Sequence, residues 1–327
     1  MLKDLVPLPA VWHRLQLVET RLLEVSASSE PFLTQIAQHL IQAGGKRFRP
    51  LVAQLAAEFG PTDDGRAVDA GAAVELIHLG SLYHDDVIDE AESRRGAESV
   101  NANWSNTIAI LAGDYLLARA SELAASRLGL ESVELLATTY AELVEGQTLE
   151  LHLTNDLSHS RDEYFKIVAG KTASLIRTSA RLGALATDAE RPAGEALSEW
   201  AWELGVVFQM TDDALDLVAT DDYLGKPAGS DIQEGVFTLP VLYALEGANG
   251  ERVRELLSDG KPFTAEAVSE VIDLVRDGGH VERVLADALE RAERAERHIV
   301  NLPDSDAKVV LKSLGAYLLD RVEAARA

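Results

Sequence analysis

The 130 residues between Pro61 and Pro192 contain no proline. Proline inside a helix costs roughly 3 kcal/mol, because it lacks the N–H and its ring clashes with the preceding turn. A long proline-free stretch rich in Ala, Leu and Glu is therefore where helices can run unbroken. Apolar residues recur there at helical spacing, as in Leu116, Leu117, Ala120, Leu123 and Ala124. No sustained period-two alternation occurs, and β-branched residues are scattered among helix formers. The expected fold is all-α, with helices joined by short loops at 60–65, 92–96, 154–160, 187–195 and 220–231. None of these loops has the length or bias of a linker, and no repeat of solenoid period appears, so a single domain over 1–327 is expected.

Charge narrows the function. Thirty Lys and Arg stand against 54 Asp and Glu, a formal balance of −24, which excludes a nucleic-acid binder because a phosphate backbone is held by surplus basic residues. With no cysteine, disulfides, thiolate metal sites and cysteine nucleophiles are all excluded, which fits a reducing compartment. No apolar run approaches the ~18 residues of a transmembrane helix, and the first residues carry an acid and two prolines where a signal peptide would be apolar. A cytoplasmic protein is expected.

One short motif occurs twice. Asp85, Asp86 and Asp89 form Asp-Asp-x-x-Asp in SLYHDDVIDEAESRRG, and Asp212, Asp213 and Asp216 repeat it in FQMTDDALDLVA. On a helix the first and third aspartates of each set lie only about 40° apart around the axis, where like charges repel. Three carboxylates on one turn, twice, with no interleaved Lys or Arg, imply an outside cation. Hard oxygen donors without His or Cys point to Mg²⁺, which keeps waters and bridges to substrate phosphate. Basic residues complete the pattern. GGKRFRP (44–50) carries Lys46, Arg47 and Arg49 with no acid, and Arg94 and Arg95 follow the first aspartate set. Positive charge beside metal-binding carboxylates suits a diphosphate substrate.

In order along the chain, GGKRFRP, LIHLGSLYHDDVIDEAESRRG, LAGDYLLARA, AGKTASL, FQMTDDALD and GKPAGSDIQEGVFTLP cover roughly residues 40 to 245. Together they resemble the trans-isoprenyl diphosphate synthase (polyprenyl synthetase) family. The resemblance implies an orthogonal helix bundle around a deep central cavity, usually homodimeric, with the two aspartate sets facing each other across its mouth. It further implies that Asp85, Asp89 and Asp212, supported by Asp86, Asp213 and Asp216, hold Mg²⁺ on the diphosphate of an allylic substrate. Arg94, Lys171 and Lys226 would add positive charge there, with Thr172 and Gln209 as hydrogen-bond partners. Lys46, Arg49, His78 and Arg95 match the positions that hold isopentenyl diphosphate. His78 lies seven residues before Asp85, about two helical turns, so both are expected on one face.

Other local readings carry less. Glu75-x-x-His78 has the spacing of a carboxylate-bridged di-iron bundle, but a second copy is required and none exists. Gly170-Lys171-Thr172 resembles the end of a P-loop, yet Phe165 occupies the required upstream glycine position. A terpene cyclase would share the first aspartate set but not the second or GGKRFRP. A subunit of a heteromeric synthase would tend to lose aspartates or basic residues, and none is lost. Val236 stands where many members carry Lys, and GQTLE (146–150) departs from the commoner Gly-Glu-x-x-Gln, so no role is assigned to Gln147, Glu150 or Val236. The GKPAGSD segment has the composition of a mobile lid bearing Lys226.

Product length is the last expectation. Ser81, Gly80 and Ile77 lie four, five and eight residues before Asp85, one to two turns deeper. Short-chain members commonly place a bulky aromatic at the first two of these positions as a floor, whereas here both residues are small. An open tunnel and a long-chain trans-polyprenyl diphosphate are expected, with a short-chain farnesyl or geranylgeranyl product as the alternative.

Overall fold

The computed structural model describes residues 2–220 and 228–326. Lys226 lies outside the described residues. The all-α expectation holds: the chain is a succession of helices, and among the described residues the only strand pairing is the two-residue hairpin Ser93–Arg94 with Ala97–Glu98. This hairpin departs from the plain loop expected at 92–96. Its turn is made by Arg95 and Gly96, both in the left-handed region (φ 56° and 77°), the conformation that reverses two strands within two residues. The 187–195 loop is also shorter than expected, since a helix already begins at Arg191 with Pro192 in its first turn.

By packing, the chain divides into two compact units. One comprises Met1–Ala141, Leu175–Ser198 and Leu302–Ala307. Its central element is the helix Arg66–Ile88, which runs through AVDAGAAVELIHLG with nearly every residue from Ala67 to Ile77 buried. A helix apolar on all sides must be covered on all sides. Asn106–Leu123, Pro9–Ser26 and Phe48–Ala56 pack along it, and Leu22, Leu40, Leu76, Leu79, Tyr83 and Leu116 fill the core. Two acids, Asp69 and Glu75, interrupt this apolar run; Asp69 is buried and answered by Arg21 at 2.7 Å and Arg127 at 2.9 Å.

The other unit comprises Glu142–Ser174, Glu199–Asn301 and Lys308–Ala327. The helix Leu239–Glu246, buried along most of its length, packs against Arg161–Val168, Gly250–Leu257, Ala265–Asp277 and His280–His298. Ser160 and Glu163 form a reciprocal capping box that fixes the start of Arg161–Val168. Beyond Val168 the backbone opens into a π-helical turn, Ala169–Ala173, a form concentrated at functional sites.

Within the first unit, Gly183 abuts Phe48–Ala56 so closely that a Cβ there would lie 2.0 Å from the Ala53 carbonyl oxygen. Gly183→Ala should destabilise the protein by about 2–4 kcal/mol through forced helix separation. Gly194→Ala, whose Cβ would meet only Ala184 at 3.8 Å, should be neutral or stabilising. Thermal unfolding of the two variants checks the pair.

Candidate active site

The first aspartate set closes the helix Arg66–Ile88. Asp89 N–H donates to the Asp85 carbonyl at 2.8 Å, and Glu90 then turns left-handed (φ 51°), which ends the helix. Three carboxylates thus sit in a last turn that carries no basic residue, at the end where the helix dipole is itself negative. Asp85 is half-buried and Asp89 exposed, whereas Asp86 is fully buried. Asp86 Oδ1 accepts from Arg94 Nε at 2.7 Å and Nη2 at 2.6 Å, while its buried Oδ2 accepts no hydrogen bond. Burial pushes the Asp86 carboxyl above its ordinary range despite Arg94.

Beside this turn the structure gathers the cations of GGKRFRP and the hairpin. Gly45 takes a backbone conformation (φ 148°) that side chains rarely adopt, and a Cβ on it would lie 2.8 Å from the Arg95 guanidinium. Arg95 Nη1 donates to the Gly44 carbonyl and, at 3.4 Å, to that of Leu40, tying hairpin to loop. Arg47 turns inward to Glu75 at 2.9 Å and Glu19 at 2.5 Å. His78 lies among these groups: burial first, then Arg49, Arg95, Arg47 and Arg94, hold its imidazole well below its ordinary range. Its cationic form is therefore disfavoured there.

The second aspartate set lies near the end of Arg191–Val218, again with no basic residue in the last turn. Asp213 is buried, accepting from Tyr164 OH at 2.6 Å and Gln209 Nε2 at 2.7 Å, and Gln209 Oε1 in turn accepts from Thr172 Oγ1 at 2.7 Å. Burial, then the charge of Asp231, pushes its carboxyl well above the ordinary range. Asp216 is also buried and accepts from Ser230 Oγ at 2.8 Å and Asp231 N–H at 3.3 Å, anchoring the chain that follows the helix. Asp212 is partly exposed, with Arg321 at 3.6 Å. Lys171, on the π-helical turn, donates to Glu150. Both line a cavity of about 80 Å³ together with Tyr164, Thr172, Gln209 and Asp213.

The six aspartates are therefore not equivalent. Asp85, Asp89 and Asp212 reach solvent, while Asp86, Asp213 and Asp216 are bonded into the protein. Among the described residues no three carboxylate or imidazole groups converge as a ready-made chelate. Each set fits a hard divalent cation nonetheless: the donors at each helix end are all oxygen and the end is itself negative, and in the first set the orphaned Oδ2 of Asp86 lies in the same turn as Asp85 and Asp89. Such a cation would complete its shell with diphosphate oxygens and water.

One sequence expectation needs correction. Gly80 does not leave an open floor by lacking a side chain, since a Cβ there would lie 3.1 Å from the Gly113 carbonyl and 3.1 Å from Leu117 Cγ. Gly80 instead allows Arg66–Ile88 to approach Asn106–Leu123, and Ser81 turns its hydroxyl back to the His78 carbonyl at 2.9 Å. Arg94, expected to add positive charge at the allylic diphosphate, pairs with Asp86 and remains 32% exposed. Three groups escaped sequence reasoning. Glu150 and Tyr164 are bonded to expected site residues, and Glu75, like Asp69 an acid within an apolar helical run, signalled a buried partner.

A pair of helix ends crowded with carboxylates, one flanked by a basic loop and hairpin, defines a diphosphate-handling enzyme on the all-α isoprenoid synthase fold. The sequence model of the polyprenyl synthetase family matches residues 30–275, and the chain belongs to that family. It is 43% identical over 309 residues to the nonaprenyl diphosphate synthase of Mycobacterium tuberculosis, covering 94% of this chain and 90% of that protein. It is 39% identical over 302 residues to heptaprenyl diphosphate synthase component 2 of Geobacillus stearothermophilus, covering 92% and 93%. Among solved structures, polyprenyl synthase from Caulobacter crescentus, complexed with calcium and isoprenyl diphosphate, matches with a TM-score of 0.91 and 31% identity over 98% of each chain. The enzyme is a trans-prenyltransferase.

In a pH titration followed by NMR, the His78 imidazole should show no protonation step near the ordinary value of 6.5. A step at or above that value would contradict the arginine-crowded environment described for it.

Proposed function

We propose that the protein condenses isopentenyl diphosphate with an allylic diphosphate, dependent on Mg²⁺, and releases a long-chain trans-polyprenyl diphosphate. The observation that carries this is the placing of a basic loop and hairpin around a neutral His78, on the same helix that ends in Asp85 and Asp89. That surface suits one diphosphate held by cations and a second held through metal. Asp85, Asp89 and Asp212 would hold Mg²⁺. When bound, Mg²⁺ supplies charge neutralisation for the departing diphosphate.

The chain's own residues do the remaining work. Lys171 and Lys226 add positive charge at the allylic diphosphate, and Arg94 fixes Asp86 beside it. Thr172 and Gln209 hold Asp213 through their hydrogen-bond chain. Lys46, Arg49, Arg95 and His78 bind the isopentenyl diphosphate and orient its double bond. The allylic carbon–oxygen bond breaks, a carbon–carbon bond forms to the isopentenyl unit, and a proton leaves, lengthening the chain by five carbons. No protein nucleophile is needed, because electrostatic stabilisation of the leaving group is the main catalytic contribution.

Product length rests on the nonaprenyl and heptaprenyl relatives, since the two small residues before Asp85 serve helix packing. We further propose that the 327 residues act as one domain and as a homodimer in the cytoplasm. One family model spanning residues 30–275, across both compact units, supports the single domain, and the exposed Ile110 and Leu111 on Asn106–Leu123 offer an apolar face for pairing.

Asp85→Ala and Asp212→Ala should each lower turnover by about 10²-fold or more while leaving helix content intact, since each removes a solvent-facing ligand and no core volume. Chelation by EDTA should abolish turnover, and added Mg²⁺ should restore it. Chromatography of the products from labelled isopentenyl diphosphate and an allylic primer reads rate and chain length together. Wild-type rates in either variant would remove the metal assignment, and a mainly fifteen- or twenty-carbon product would remove the long-chain one.

A further inference from the structure

Arg47 stands in the middle of the basic loop, yet it faces away from solvent. Its side chain is 8% exposed, and its backbone is left-handed (φ 49°), a conformation unfavourable for a residue with a Cβ that persists only when surroundings impose it. The imposing contacts can be counted. Nε and Nη2 donate to the two oxygens of Glu19 at 2.5 and 3.0 Å. Nη1 donates to Glu75 Oε1 at 2.9 Å and to the Gly44 carbonyl at 3.2 Å, and Nη2 donates again to the Ile41 carbonyl at 3.0 Å. A guanidinium has five N–H groups, and here each has an acceptor inside the protein. Arg47 therefore has no donor left to offer a substrate anion.

What these bonds fix is the frame of the neighbouring cations. Two of the five acceptors are backbone carbonyls at the approach to the loop, so Arg47 holds the Gly44–Arg49 turn to its own helix end. Its partner Glu75 is 1% exposed and lies one helical turn before His78. The same Glu75 oxygen that accepts from Arg47 stands 3.8 Å from Arg95 Nη2, and Arg95 in turn donates to Gly44. Burial pushes the Glu75 carboxyl up even against three arginines, so removing Arg47 would leave a costly buried acid next to Arg95.

We propose that Arg47, together with Glu19 and Glu75, forms a positioning device for the isopentenyl diphosphate subsite, setting loop and hairpin without touching substrate. This rests on the assignment of that subsite to Lys46, Arg49, His78 and Arg95. Arg47→Gln should raise KM for isopentenyl diphosphate by roughly 10–100-fold, the usual effect of losing a group that orients direct ligands, and leave KM for the allylic substrate unchanged. Arg47→Lys should not restore it, because one ammonium cannot satisfy the fork of Glu19 and reach Glu75 together. Glu19→Gln, altering a half-exposed partner, should fold normally and raise the same KM by a smaller factor. Asp69→Asn, which breaks a buried ion cluster elsewhere in the same unit, serves as control: it should lower the melting temperature without moving either KM.

Equal rises in both KM values, an unchanged isopentenyl diphosphate KM in folded Arg47→Gln, or a rise in the control would overturn the proposal. If Arg47→Gln does not fold, Glu19→Gln decides, and no change in its KM for isopentenyl diphosphate overturns it. Should the wild type fail to condense isopentenyl diphosphate at all, the functional reading fails separately. Calorimetric binding of inorganic pyrophosphate to wild type and Glu19→Gln then decides: weaker binding in the variant supports the device, and equal binding removes it.

Discussion

A carboxylate at the C-terminal end of a helix is held against the helix dipole unless a cation compensates it. Two helices of this protein each end in three such carboxylates with no basic residue in the turn. Much of the surrounding structure answers that charge. Arg94 is delivered to Asp86 by a hairpin, Tyr164 and Gln209 are delivered to Asp213, and Ser230 reaches Asp216 from the chain beyond the helix. Asp213 and Asp216 are satisfied by protein groups and Asp86 is held through one oxygen by Arg94, which fixes the direction of each turn. The solvent-facing aspartates then present the negative charge at which we propose a divalent cation binds.

The basic cluster that we propose binds isopentenyl diphosphate has the opposite balance. A cluster of arginines repels itself, and its members splay apart unless something buried holds them. Glu75 does this from the helix core and Glu19 from the half-exposed side, both through Arg47. Burial, and then the same arginines, hold the His78 imidazole well below its ordinary range, so it is disfavoured as a further cation in the cluster. Preorganisation of this kind shifts the cost of assembling like charges from the binding event to folding.

Much of this was legible in the sequence because it is local. The proline-free stretch, the paired Asp-Asp-x-x-Asp turns and the acid-free GGKRFRP loop depend on residues a few positions apart. What was not legible depends on which neighbour folding brings. Arg47 looks like its loop companions until Glu19 and Glu75, 28 residues away on either side, are seen to surround it. Gly80 reads as an absent floor until Gly113 and Leu117 are found against it. The Arg94 partner Asp86, fully buried, cannot be told from its two solvent-reaching neighbours until the hairpin is placed against it.

The central claim is that the exposed carboxylates bind a divalent cation that diphosphate oxygens complete, since no three carboxylate or imidazole groups among the described residues converge to chelate one alone. Isothermal calorimetry of Mg²⁺ with the full chain, with and without inorganic pyrophosphate, tests this most directly. The account predicts weak Mg²⁺ binding alone, markedly tighter binding with pyrophosphate present, and loss of that gain in Asp85→Ala. Tight Mg²⁺ binding without pyrophosphate, or no gain when it is added, would contradict it.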